Sequence, residues 1–314
     1  MSSSHAGKPG HLANATPVRS ESQQPTVVVF GLQSHPVLGE LYARLQSRGR
    51  RRVVYAALEN FPEAISFGFS QKEGQDDGFF QWDGDAPVRF SDIVSVCLDG
   101  YAIVAGGEGL SAEDQEYRQT ESWAALVALF RGLSRQCLVA NHVVERDHFH
   151  SRLAELYLLH SYALPVPRVL VTSNADQARA FIDQVGSVIY RTVMGKDLPF
   201  RPLLPEDKDR LDEVGLAPVH FEEHPEGGLA GLIRVGPLLV ASPREADIPQ
   251  DLRQGFEQLC RDLGLELAEL RLRQLHDGRG WQALGLHPFL SQEGLNDPEV
   301  AEAALDLLEY GRPT

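Results

Sequence analysis

Apolar residues in this chain recur with two periods, and the switches between them mark a succession of strands and helices. Thr26 to Leu32 is a β-branched run that predicts a buried strand. Pro36 to Arg48 follows with Val37, Leu38, Leu41 and Leu45 at helical spacing, and Val53 to Leu58 predicts a second strand. Strand, helix, strand in that order implies a right-handed crossover in a parallel sheet. Between Ala64 and Phe90 aromatics alternate with polar residues around Gly74, Gly78 and Gly84, the pattern of antiparallel strands or a hairpin. Ile93 to Leu98 reads as another buried strand. Glu113 to Gly132 predicts a long helix with Trp123, Leu126, Val127 and Phe130 inward, leading into a short strand, Cys137 to Ala140, closed by Asn141.

The second half repeats the alternation in other proportions. His150 to Tyr162 predicts an amphipathic helix that Pro165 and Pro167 stop before a strand at Arg168 to Thr172. A helix (Ala175 to Gln184) and a strand (Ser187 to Val193) precede a turn containing Gly195 and Lys196 and a Pro-rich acidic segment through Pro218. Strands are predicted at His220 to His224, Leu229 to Arg234 and Pro237 to Ala241, then a helix from Pro249 to Leu263. From Leu265 to Ser291 the chain predicts a strand, a turn at Asp277-Gly278 and a second strand ending before Pro288, and Pro298 to Tyr310 is a last helix. No fixed-period repeat is present, and residues 1–25, rich in Ser, His, Gly, Gln and Pro, predict a disordered leader.

Composition narrows the function classes. With 314 residues and 43% hydrophobic content the chain can build two or three packed subdomains. A net charge of -15 opposes general affinity for nucleic acid or anionic membrane, because the summed field repels polyanions. The local exception, Arg48, Arg50, Arg51 and Arg52, reads as a solvated helix end whose cations complement the macrodipole. Cys97, Cys137 and Cys260 lie far apart without metal or redox spacing, which fits a reducing cytoplasm, and no apolar run reaches the roughly 20 residues of a membrane span. Lysine is scarce: Lys8, Lys72, Lys196 and Lys208 stand against twenty-five arginines.

Several segments in order carry a resemblance. They are Glu121-Ser-Trp-Ala-Ala-Leu, Leu138-Val-Ala-Asn141, Leu164-Pro-Val-Pro-Arg-Val-Leu-Val-Thr172 with Ala175 to Phe181, Val188-Ile-Tyr-Arg191, Phe221-Glu-Glu223, and the frame from Leu259 to Pro288. Over about 260 residues this succession resembles the ATP-grasp superfamily. The likeness is to its glutamate-ligase-like branch, which includes the microviridin-type peptide ligases. The resemblance implies an α/β ATP-grasp fold with an N-terminal α/β domain (26–140), a central α+β subdomain (141–225) and a C-terminal α+β subdomain (226–314). It further implies ATP as cofactor, a peptide or protein partner, and a homodimer or pairing with an active homologue.

The same resemblance assigns positions, and many hold unexpected side chains. Where the family presents a phosphate-binding Lys this chain has Arg191, which can still grip phosphate bidentately but with different reach. Lys196 is placed to supply a point charge over a triphosphate, or is an exposed lysine in a turn. Arg152 and Glu155 stand where the family helix bears Lys and Gln. Glu222 and Glu223 fall at the hinge that contacts adenine or ribose; with Glu226 they read alternatively as a solvated acidic edge. The strand with an Arg near the transferred phosphate here runs Gly228 to Gly231, unless Arg234 substitutes from a shifted register. At the metal strands the resemblance implies an acid and a Glu-x-Asn-Pro, and the chain reads Arg271, Gly285 and His287. Mg²⁺ takes hard oxygen ligands, so these three speak against it.

Other chemistry is weakly signalled. His142, His148, His150 and His160 crowd one region without zinc spacing and read as surface or capping histidines. Gly106-Gly107-Glu-Gly109 matches no phosphate-cradle pattern and reads as a loop, no nucleophile-elbow sequence is present, and Trp82, Trp123 and Trp281 read as core or edge aromatics. The reading that follows is a catalytically degenerate ATP-grasp protein, a pseudoenzyme that binds a peptide, a protein or a nucleotide. Two alternatives stand beside it: an active ligase forming an amide or ester through an acyl-phosphate at a rearranged metal site, and a structural or dimerising subunit.

Overall fold

The computed structural model describes residues 24–72, 75–82, 86–99, 109–141, 151–193, 200–276 and 280–311. Lys196, Gly106, Gly107, His142, His148, His150, most of the leader and the Asp277-Gly278 turn lie outside them. The N-terminal part contains β1 (Thr26–Gly31), α1 (Pro36–Arg48), β2 (Arg52–Ala57), β3 (Ile65–Lys72), β4 (Gln75–Trp82), β5 (Val88–Arg89), β6 (Ile93–Leu98), α2 (Ala112–Leu133) and β7 (Leu138–Ala140). β2, β1, β6 and β7 form a parallel sheet in that order, and β3, β4 and β5 form a small antiparallel sheet beside it.

Helix α1 illustrates how local chemistry sets an element. The His35 side chain accepts from the Leu38 N–H, Pro36 occupies the first turn, and Gly49 ends the helix at φ 61°. Its face of Val37, Leu38, Leu41 and Leu45 is fully buried on the sheet, each side chain worth about 1.5–3 kcal/mol of removed apolar surface. The approach is close enough that a Cβ on Gly31 would stand 2.7 Å from the Asp99 carbonyl oxygen and overlap Leu38, so glycine is required there. On the opposite face, Phe30, Phe80, Phe90 and Phe130 pack with centroids 5.1–5.5 Å apart, joining the parallel sheet to the hairpin and α2.

The central part holds α3 (Arg152–Ser161), β8 (Val169–Thr172), α4 (Ala175–Val185), β9 (Val188–Thr192), β10 (Arg201–Pro202), α5 (Pro205–Lys208) and β11 (Val219–Glu223). Its antiparallel sheet runs β10-β9-β11-β8, with α4 burying Ala178 and Ile182 against Val188 and Phe221. The C-terminal part holds β12 (Gly227–Val235), β13 (Leu238–Ser242), α6 (Gln250–Asp262), β14 (Leu267–Leu275), β15 (Trp281–His287), α7 (Gln292–Asn296) and α8 (Pro298–Tyr310). Its antiparallel sheet runs β13-β12-β14-β15; Leu159 of α3 and Phe256 of α6 share one core with Leu270 and Leu272. α8 returns to the N-terminal sheet, so Val300, Ala304 and Leu308 share a core with Val27, Val29 and Leu41.

Most predicted elements appear within one or two residues of their expected bounds, and α1, β6 and α8 coincide with them. Two short helices were not foreseen. α5, with the 3-10 turn at Leu211–Leu216, lies in the Pro-rich acidic segment, and α7 is only five residues long; neither spans enough turns to establish a helical period. The arginine run also departs from expectation. Arg48 bonds Asp306 and Glu309 at 2.7 and 2.9 Å and also Glu302, while Arg50 lies 3.2 Å from Glu309 and Arg51 donates to the Glu309 carbonyl. It is an ion-pair clamp on α8, because α8 presents a row of carboxylates to the end of α1.

Candidate functional site

Strand alternation builds the site from two facing sheets. Along β14, Ala268, Leu270 and Leu272 enter the core, so Glu269 and Arg271 occupy the other face. Register places Glu269 opposite His287 and Arg271 opposite Gly285, and an irregularity after Arg271 shifts the pairing so that Leu272 faces Ala283. In the central sheet Arg191 of β9 pairs with His220 of β11, which leaves Phe221 for the core and puts His220 and Glu222 on the face with Arg191. Helix α3 supplies Arg152 and Glu155 between the sheets.

A cleft of about 470 Å³ results, lined by Arg152, Glu155, Arg191, Phe200, Glu269, Arg271, residues 284–287 and Ser291. Four positions singled out in the sequence, Arg191, Arg271, Gly285 and His287, therefore meet in one place. Glu222 lies behind them. Its carboxylate takes both arms of the Arg152 fork, at 3.0 Å from Nε and 2.7 Å from Nη2, and His220 Nε2 stands 3.3 Å from it. Arg152 Nη1 donates to Glu155 at 3.0 Å, and Glu155 Oε1 in turn accepts the Leu286 N–H. Burial works against the Arg152 charge, but Glu222 and Glu155 outweigh it and its pKa is raised. Burial likewise pushes Glu222 upward, yet hydrogen bonds from His220 and Arg152 prevail and hold it below the usual carboxylate range. Arg191, whose guanidinium lies 4.3 Å from the Phe200 ring centroid, is shifted down by burial and by neighbouring Arg152.

The Glu222-Glu223 pair is not a solvated edge. Glu222 and Glu223 are 3% and 5% exposed, because alternate side chains of β11 turn to opposite faces and each meets an arginine. Glu223 receives Arg168 Nε at 2.9 Å and Nη2 at 3.1 Å; Glu226 alone is exposed. Nor does Arg234 reach the cleft: it pairs opposite Ala268 and donates to the carbonyls of Gly236 and Leu265, both at 2.9 Å. His160 is exposed in the last turn of α3. The tryptophans pack at core margins, as predicted.

Glu269 is the residue that the sequence reading passes over. The signal was available, since it precedes Arg271 by two residues and period two puts both on one face. Its Oε1 accepts from the Ser291 backbone at 2.7 Å and hydroxyl at 3.0 Å, which ties β14 to the start of α7.

The donor set does not fit the Mg²⁺ that the fold resemblance implies. Glu222 and Glu155 are committed to Arg152, Glu269 has one oxygen on Ser291, and the ring Nδ1 of His287 lies 3.0 Å from the Phe289 carbonyl. A Cβ at position 285 would stand 3.2 Å from Glu155 Oε1 and 3.4 Å from Arg152 Nη1, so the arginine cluster takes the space beside the missing acid. Among the described residues no group of three or more His, Cys, Asp or Glu side chains could hold a metal ion. The described residues of the cleft do not form an octahedral oxygen cage. Arg191, stacked on Phe200, and the exposed Arg271 also line the cleft, and a guanidinium such as that of Arg271 grips carboxylate or phosphate groups.

No family model matches the chain, and no curated protein matches it. Solved structures do. Macrocyclase MdnC bound with precursor peptide MdnA, from Microcystis aeruginosa MRC, is 16% identical over 90% of this chain and 99% of its own, with a TM-score of 0.73. The ATP-grasp ligase PsnB complexed with minimal precursor, Mg and ADP is 20% identical over 93% of this chain and 100% of its own, with a TM-score of 0.72. A Chryseobacterium gregarium RiPP-associated ATP-grasp ligase in complex with ADP and a leader and core peptide is 12% identical over 92% and 99%, with a TM-score of 0.71.

Proposed function

We infer that this chain, which has the ATP-grasp fold, is a peptide-binding protein that has given up magnesium-dependent ligation and acts as the recognition component of a peptide-modifying system. The observation that carries this reading is the pairing of Arg271 with Gly285 above the Arg152, Glu155 and Glu222 cluster. Phosphoryl transfer in such a cleft relies on cations to stabilise developing charge, a contribution of several kcal/mol. Guanidiniums bind anions but do not bridge phosphates as a metal does. Peptide binding draws support from the neighbouring structures, which hold precursor, leader or core peptides. The proposed partner is an acidic or mixed peptide whose carboxylates meet the exposed Arg271, in the cytoplasm, with the chain working as a homodimer or beside an active homologue.

A display library of linear peptides tests this, with selected sequences titrated by fluorescence anisotropy against the wild-type chain and Arg271→Asp. The expected result is a consensus whose binding drops at least tenfold in Arg271→Asp, about 1.4 kcal/mol of guanidinium contact. ADP release on addition of the selected peptide and Mg-ATP would overturn the loss of ligation and favour an active ligase with Arg191, Lys196 and Glu223 on the nucleotide.

A further inference from the structure

A second cavity of about 390 Å³ lies away from the cleft, between α1, the end of β2 and the ends of the β3-β4 hairpin. Its walls include Tyr42, Tyr55 and Trp82. The Tyr42 and Tyr55 rings meet at 79° with centroids 5.4 Å apart, forming an aromatic corner. Both phenols are tied back: Tyr55 donates to the Leu32 carbonyl at 2.6 Å, and Tyr42 accepts from Gln46 at 2.6 Å. Among the described residues no lysine or arginine lines the space.

Two observations point to a ligand. Gly39 lines the cavity from the interior of α1, where glycine weakens a helix relative to alanine, yet a Cβ there would meet nothing within 4 Å. No contact among the described residues requires that glycine, and its lack of a side chain leaves the cavity open on the α1 side. Gln33, which lines the cavity, donates its backbone N–H to one oxygen of Glu59 at 2.7 Å, while the other Glu59 oxygen and the Trp82 indole nitrogen are buried without a hydrogen-bond partner among the described residues. The charge of Glu59 reaches the aromatic wall, since burial and then Glu59 push the Tyr55 phenol up to about 12.

We propose that this pocket binds a cationic side chain, the guanidinium or ammonium of a basic residue in a peptide partner, between the faces of Tyr42, Tyr55 and Trp82 and beside the Glu59 carboxylate. Aromatic faces and a carboxylate are complementary to a cation, and the volume admits a long basic side chain with part of its backbone but not a folded partner. The site lies outside the cleft and is tested with amino-acid amides, so its failure is distinguishable from failure of the reading above.

The test follows the three tryptophan indole resonances of the nitrogen-15 labelled full chain, with Trp82 assigned through Trp82→Phe. The probes are N-acetyl-arginine amide, N-acetyl-lysine amide and the neutral N-acetyl-norleucine amide. The expected result is a saturable shift of the Trp82 signal with either basic amide, none with norleucine amide, and about fivefold weaker binding in Glu59→Gln. Gly39→Leu, which projects into open space, should abolish the shift while its thermal midpoint stays equal or rises. Equal response to norleucine amide, no saturable response to either basic amide, or unchanged binding in Gly39→Leu would each overturn the assignment.

Discussion

Replacing Glu222 by Gln tests the electrostatic core of the cleft with almost no change of shape. The carboxylate is 3% exposed and holds Arg152 at 2.7 and 3.0 Å, so the substitution withdraws one charge from a buried cation. Removing one partner of a buried ion pair costs about 3–5 kcal/mol. Two features reduce this: Glu155 remains 3.0 Å from Arg152, and the Gln carbonyl retains one acceptor worth about 1 kcal/mol. The expected loss is about 2–3 kcal/mol, a roughly 30- to 150-fold change in the unfolding equilibrium. Urea denaturation followed by circular dichroism reads it directly, with Arg179→Ala, which breaks the exposed pairs to Asp176 and Asp212, as a control whose midpoint should not move. The pH dependence carries the same sign. Unfolded Glu222 takes up a proton near its ordinary value of 4.5, whereas the folded carboxylate stays charged to lower pH. Wild-type stability should therefore be complete above that value and fall as pH drops through the lowered one, with a shallower fall in Glu222→Gln. A loss under about 0.5 kcal/mol would refute the buried pairing.

Further outcomes follow from the same structure. Asn141→Ala should cost about 2–4 kcal/mol in the same denaturation assay, because its buried amide accepts from Glu266 and Leu267 at 2.9 and 3.0 Å and donates to the carbonyls of Leu267 and Pro288. His224 is held below 6.5 by burial and by Arg273, so the unfolded chain binds a proton first as pH falls below that value; wild type should lose stability there, and His224→Gln should lose less in a thermal scan. Combining Arg271→Asp, Gly285→Glu and His287→Asn supplies oxygen ligands at the three departed positions and should create Mg²⁺ binding measurable by calorimetry, absent from the wild-type chain. Cys137 and Cys260, both pushed up to about 12 by burial, should react slowly with iodoacetamide at pH 8, read by mass spectrometry.

Periodicity made most of the fold legible, because Leu41 and Leu45 of α1 or Leu270 and Leu272 of β14 repeat at the spacing that their burial requires. The order of segments also brought Arg191, Arg271, Gly285 and His287 to one cleft. What the linear pattern could not carry was long-range pairing. Arg48 with Glu309, Arg152 with Glu222 and Glu269 with Ser291 are separated by 261, 70 and 22 residues, and only the fold makes them neighbours. Glu222 and Glu223 consequently read as nucleotide contacts or a solvated edge, and neither reading foresaw that each is buried on a guanidinium. The aromatic corner of Tyr42 and Tyr55 was invisible for the same reason, since α1 and β2 each contribute one wall.

Isothermal titration of the full chain with ATP, once in EDTA and once in Mg²⁺, tests the central claim most directly. With no oxygen cage beside Arg271 and Gly285, the account predicts no gain in nucleotide affinity from Mg²⁺ and no ADP in the cell afterwards. Magnesium-dependent tightening by tenfold or more, about 1.4 kcal/mol, together with ADP formation, would contradict it.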